Sequence, residues 1–198
     1  MVSDPPPILA LDTAAAHCAA ALVCGGRICA ARAETMDRGQ AERLLPMVEE
    51  LLVEAGIGWD AVGGIAVCTG PGNFTGLRAA VAAARGLALA LGVPAVGVSR
   101  LEVLGARPGV TVATIADKRG RFVQIFRDGV AEGPPSLDPG ALPAGPVVDG
   151  TDLPCDLATL AAIAARRLGS APPPAPLYLR PADAMPPSEA PPPILDDA

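Results

Sequence analysis

A single histidine, His17, stands in this chain of 198 residues, and that scarcity excludes much of the chemistry a sequence of this size could carry. Metal sites built on histidine pairs, such as HExxH, have no second residue to complete them. Ser-His-Asp and Cys-His arrangements have almost no material, and no serine sits in a nucleophile-elbow pattern. Positive charge is also short. Fifteen Lys and Arg against 21 Asp and Glu leave a net charge of −6, which argues against a broad surface for nucleic-acid phosphates. No CxxC pair occurs among Cys18, Cys24, Cys29, Cys68 and Cys155. Each lies in an apolar segment, so the five read as buried free thiols of a reducing compartment. No run reaches about 18 uninterrupted apolar residues, and MVSDPPPILA lacks a basic segment. Neither secretion nor membrane insertion is expected, and a cytoplasmic protein is.

Apolar material is plentiful: 51% of the residues are hydrophobic, enough for one good core or two small lobes packed together. Ile8–Leu11, Cys18–Cys24 and Arg27–Ala33 read as three short strands, the last two joined by Gly25-Gly26 as a tight hairpin. Gln40–Ala55 places Leu44, Leu45, Val48, Leu51, Leu52 and Ala55 on one helical stripe that Gly56 stops. Pro46 should bend this helix or mark its true first turn. Ile65–Cys68 and Ala95–Val98 flank a helix over Gly76–Leu91, a crossover that implies parallel neighbours. Three meander strands followed by alternating helices and strands is the order of a ribonuclease-H-like lobe. The expected fold is therefore α/β, with such a lobe over residues 1–105 and a reduced second α/β lobe over 106–170. The second lobe holds a hairpin, Val110–Ala116 with Phe122–Phe126, and a helix, Ala158–Leu168. Ten of 23 prolines fall in residues 171–198, a tail that should be extended or disordered.

Between the Ile65 strand and its helix runs GPGNFTGLR, Gly70 to Arg78. Gly70, Gly72 and Gly76 permit dihedrals closed to other residues, and Asn73 or Thr75 can cap the helix. Two readings stand: an anion site at the helix N-terminus, or a tight strand-to-helix turn made for close packing. The loop is neither a P-loop with its Lys nor GxGxxG. Asp12 and Thr13 end the first strand, either as a capping turn or as the carboxylate place of a phosphate-binding ATPase. Along the helix that follows, Gly76, Ala79, Ala83, Gly86 and Ala90 form a nearly smooth face. The bulkier stripe Leu77, Val81, Ala84, Ala88 and Leu91 is available for the chain's own sheet, so two stripes point to two packing partners. Lys118, Arg119 and Arg121 make one basic turn, either solvated or in contact with phosphates or an acidic partner.

ILALDTAAAHCAAALV, RGQAERLLPMVEELL, the glycine loop and GLALALGVPAVGVSRLEVL, in that order, resemble the TsaB family, also called YeaZ. PLYLRPADAMPP resembles that family's C-terminal signature. The resemblance implies the actin-like ATPase superfamily fold and a non-catalytic subunit in the making of threonylcarbamoyladenosine in tRNA. It implies dimerisation through the first two helices, with itself when free or with the paralogue TsaD. The residues concerned here would be Gln40, Leu44, Met47, Val48, Leu51, Gly76, Ala79, Ala83, Gly86 and Ala90. A TsaE-like ATPase would be a further partner, with tRNA met only through the complex and no membrane. No metal and no cofactor are expected beyond weak nucleotide binding at the partner interface. Asp12, Thr13, Gly70, Gly72 and Asn73 would form a vestigial phosphate site. The rival from another class is an autonomous small ATPase or kinase; a peptidase is disfavoured by the histidine count.

Overall fold

The computed structural model describes residues 5–117, 120–137 and 140–178. The expectations placed on the tail beyond residue 178 and on Lys118 and Arg119 lie outside the described residues. The first sheet has the order β3-β2-β1-β4-β5, built from β1 (Ile8–Asp12), β2 (His17–Cys24), β3 (Arg27–Thr35), β4 (Gly64–Cys68) and β5 (Ala95–Val98). β2 runs antiparallel between β1 and β3, while β4 is parallel to both β1 and β5. This is the ribonuclease-H-like arrangement anticipated from the element order. All five residues of β1 and of β4 are buried, as in parallel strands covered on both faces.

Strand alternation divides the core. Leu9, Leu11, Ile65 and Val67 point to the side covered by α1 (Gln40–Ala55) and α2 (Phe74–Leu91). Ile8, Ala10, Ala66 and Cys68 point to the other side, covered by α4 (Leu157–Ala165). α1 keeps its anticipated bounds. Gly56 adopts the left-handed conformation and its N–H returns to the last turn, the usual role of glycine just past a helix. Pro46 lies inside α1 rather than in its first turn.

α3 (Arg100–Gly105) leads into a second sheet, β10-β6-β7-β8 with β9 on β7. Its hairpin is β6 (Val112–Asp117) with β7 (Gly120–Arg127), flanked by β8 (Val130–Ala131), β9 (Ser136–Leu137) and β10 (Val147–Asp149). Leu101 and Leu104 of α3 pack on Ala113, Ile115, Phe122 and Phe126 of that hairpin.

The thiol expectation needs a correction. Cys24 and Cys29 are joined as a disulfide with Cα atoms 6.1 Å apart. Leu22 faces Ala30 and Val23 faces Ile28, so Cys29 is the extra residue of a bulge beside the Gly25-Gly26 turn. Both cysteines lie at the turn end of the hairpin, Cys24 half-buried against the edge of the core and Cys29 exposed. Cys18 and Cys68 are buried free thiols and Cys155 is half-buried.

Candidate functional site

Asp12 and Cys68 end neighbouring strands, since Ala10 pairs with Ala66 and Leu11 with Val67. Asp12 is fully buried. Its Oδ1 accepts the Ala14 N–H at 2.9 Å, and its Oδ2 lies 2.7 Å from Nε2 of His17. Burial alone would raise the carboxyl pKa, but the His17 contact, the Ala14 N–H and the Cys68 thiol hold it below the usual value. Thr13 is buried beside it, its hydroxyl donating to Gly76 O at 2.7 Å.

The glycine loop closes on this turn. A Cβ at Gly72 would overlap the carbonyl oxygen of Ala14, and one at Gly76 that of Thr13. The Asn73 N–H donates to Ala14 O at 2.6 Å. The Asn73 side chain caps α2 by accepting from Thr75 N at 3.1 Å and Gly76 N at 3.4 Å. Gly70, with φ 96°, accepts the Arg100 N–H at 2.8 Å.

The N–H groups of Asn73, Thr75 and Gly76 are thus engaged within the protein, and Gly72 and Gly76 serve the close approach of α2 to the β1–β2 turn. Of the residues read as a vestigial phosphate site, Asp12, Thr13, Gly70, Gly72 and Asn73, Asp12 and Thr13 are buried and Gly72 packs on the carbonyl of Ala14. Gly72→Ala should therefore lower stability by about 2–4 kcal/mol, at the upper end of single substitutions, with Tm falling by roughly 5–15 °C for a chain of this size. Thermal unfolding followed by circular dichroism checks it; an unchanged Tm would mean that the loop stands away from Ala14.

The expected interface residues separate into two groups. Gln40, Leu44, Met47, Val48 and Leu51 are all buried within the chain itself and present little surface outside it. α1 has one apolar stripe, and the sheet takes it. Gly76 is likewise buried against Thr13. The rest of the smooth face stays reachable: Ala79 and Ala83 are half-buried, and Gly86 and Ala90 are exposed. Ala83 leans partly on the α1 and α2 core, whereas a Cβ at Gly86 would meet nothing within 4 Å.

Leu89, beside this face, is 87% exposed. α2 is the one helix among the described residues long and apolar enough, by composition, to cross a membrane, yet only 28% of it is buried. Its exposed side also carries Arg78 and Arg85, which a bilayer would not accept cheaply.

Sequence reasoning missed the support at the start of α2. The Arg78 guanidinium lies 3.6 Å from the centroid of the Phe74 ring and donates through Nε to Tyr178 Oη at 2.8 Å. Leu177 N donates to Thr69 O at 2.9 Å, so the Pro176–Tyr178 segment is fastened across the end of β4. The only signal was the proximity of Phe74 and Arg78, four residues apart on one helix face.

Comparison with known proteins places this geometry. The family model described as TsaD, tRNA N6-adenosine threonylcarbamoyltransferase, matches residues 32–119. The tRNA threonylcarbamoyladenosine biosynthesis protein TsaB of Escherichia coli (strain K12) is 40% identical over 97 residues, 49% of this chain and 42% of that protein. The TsaB protein of Haemophilus influenzae is 36% identical over 97 residues, covering 41% of its length. The chain thus matches about two-fifths of the length of these curated relatives. Among solved structures, a Pseudomonas aeruginosa protein described as similar to peptidase YeaZ superposes with a TM-score of 0.74 at 31% identity, covering 89% of this chain and all of that one. YeaZ from Pseudomonas aeruginosa follows at 0.68 and 29% identity, covering 82% and 92%.

Proposed function

The chain belongs to the TsaB (YeaZ) family, and from that premise we propose that it is a non-catalytic partner subunit in threonylcarbamoyladenosine biosynthesis on tRNA. Its partner is a TsaD-like paralogue, seated on the outer face of α2. The observation that carries this reading is the uncovered side of α2: Ala79, Ala83, Gly86 and Ala90 leave a smooth strip beside the almost fully exposed Leu89. A helix this apolar exposes surface that a second helix can cover, and small residues allow close approach of the two backbones. The same surface would serve a second copy of the chain when the paralogue is absent. A TsaE-like ATPase would join through the paralogue, and tRNA would be met only within the complex.

The buried Asp12 and the packing of the glycine loop on the β1–β2 turn favour the partner subunit over an autonomous kinase or ATPase, and His17 is engaged with Asp12. The purified chain is expected to hydrolyse no ATP and to form a complex with the TsaD-like protein of its own genome. Gel filtration and a phosphate-release assay test both. ATP turnover that disappears in an Asp12→Ala variant would replace this reading with the kinase.

A further inference from the structure

Three potential donors that lie far apart in the chain converge on the α4 side of the first sheet. Asp12 ends β1, Cys68 ends β4, and Cys155 stands in the loop just before α4, whose first turn is capped by Asp156. One carboxylate oxygen and two sulfur atoms lie within 4.8 Å of one another. From this juxtaposition we propose that Asp12, Cys68 and Cys155 form a binding site for a thiophilic divalent cation of the Zn2+ class.

The argument is chemical and geometric. Two thiols and a carboxylate suit Zn2+, which takes sulfur at about 2.3 Å and carboxylate oxygen at about 2.0–2.2 Å in a tetrahedron. Such a tetrahedron sets its donors about 3.6–3.8 Å apart. Side-chain rotations of the order of 1 Å would bring the three to that spacing without moving a strand. Asp12 is already oriented by the Ala14 N–H and by His17, the kind of support from behind that metal-ligating groups have. Asp12 and Cys68 are fully buried, whereas Cys155 is half-buried. The ion therefore enters past Cys155, and the fourth position, on that side, is left to water or a solute.

Metal-free, the Cys68 thiol stays protonated: burial pushes its pKa well above the usual value, and the Cys155 thiol and the Asp12 carboxylate push it further. Binding is then an exchange, M2+ + 2 RSH + RCOO− → [M(SR)2(OOCR)]− + 2 H+, with both protons passing to solvent. The ion would clamp the loop ahead of α4 onto the ends of β1 and β4. The inference is independent of the partner-subunit reading.

The test uses the full chain with Co2+ or Zn2+ alone. Co2+ should bind with one equivalent per chain, with an intense thiolate-to-cobalt charge-transfer band and the visible bands of a tetrahedral ion. Zn2+ should displace it, and a pH indicator should record two protons released per ion. Binding should tighten as pH rises.

Cys155→Ser, at the half-buried position, should weaken binding at least tenfold and halve the charge-transfer intensity, and Cys68→Ala should act likewise. Cys18→Ser, and the double variant Cys24→Ser with Cys29→Ser, should bind as the parent does. If Cys68→Ala fails to fold, Cys155→Ser and the parent spectrum decide the matter. No charge-transfer band in the reduced parent, or a band that survives undiminished in Cys155→Ser, would overturn the site. So would a Cys68–Cys155 disulfide that forms in the presence of the ion and excludes it.

Discussion

A Gly86→Glu chain is expected to melt slightly above the parent and to lose its complex with a TsaD-like protein. The two effects have opposite signs for separate physical reasons. In the free chain Gly86 is exposed and a Cβ there meets no atom within 4 Å, so the new side chain is simply hydrated. Replacing a glycine inside a helix with a better helix former adds roughly 0.5–1 kcal/mol. In the complex the same carboxylate would stand between two close helices, unpaired and out of water. Such a group costs several kcal/mol, and each 1.4 kcal/mol is a factor of ten in affinity, so the dissociation constant should rise at least a hundredfold. Titration calorimetry with the partner and thermal unfolding of the free chain read the two effects. Unchanged affinity would place the partner elsewhere on the molecule. A fall in Tm would show that α2 turns this face inward. Ala83 is the less clean probe, because it already leans on the core shared by α1 and α2.

Arg100→Met should be the most damaging substitution away from the α2 face. Arg100 is only 5% exposed. Its guanidinium donates to Gly150 O at 2.9 Å and Leu153 O at 2.8 Å through Nη2, and to Pro71 O at 3.4 Å through Nη1. It therefore binds the glycine loop to the loop that follows β10. Methionine fills similar space but donates nothing, leaving the acceptors short of partners. Gly150 O keeps the Leu153 N–H, but Pro71 O and Leu153 O lose the guanidinium, and with about 1–3 kcal/mol for each acceptor left unsatisfied a loss of roughly 3–5 kcal/mol is expected. A chemical-denaturation midpoint lowered accordingly, with α2 pairing retained in the folded fraction, would agree. A loss below 1 kcal/mol would mean that water replaces the guanidinium.

The first sheet was legible because its signals were local. Gly25-Gly26 marked a hairpin, the stripe from Leu44 to Ala55 ended at Gly56, and the glycine loop separated a strand from a helix. α3 was missed, although Ser99 and Glu102 make a capping box, the serine-to-glutamate spacing being visible in SRLE. The apolar run around it hid the signal. β8, β9 and β10 are two or three residues long, and no periodicity can show in so few.

The two stripes of α2 were legible, and the inward face of α1 was misjudged as open surface. α2 carries two stripes and could declare one for its sheet and one for a partner, whereas α1 carries one. Leu44, Met47, Val48 and Leu51 were bound to go inward once a sheet needed covering. The convergence of Asp12, Cys68 and Cys155 could not be read at all. It depends on the parallel register of β1 with β4 and on where the loop before α4 lands, and both are products of the tertiary fold.

The central claim, a partner subunit acting through α2 in threonylcarbamoyladenosine synthesis, is tested most directly by nucleoside mass spectrometry of total tRNA. Cells depleted of the chain are complemented with the parent or with Gly86→Glu. Threonylcarbamoyladenosine should fall on depletion while other modified nucleosides hold steady. It should return with the parent and stay low with Gly86→Glu expressed at the same level. An unchanged content under full depletion, or full recovery with Gly86→Glu, would contradict the account.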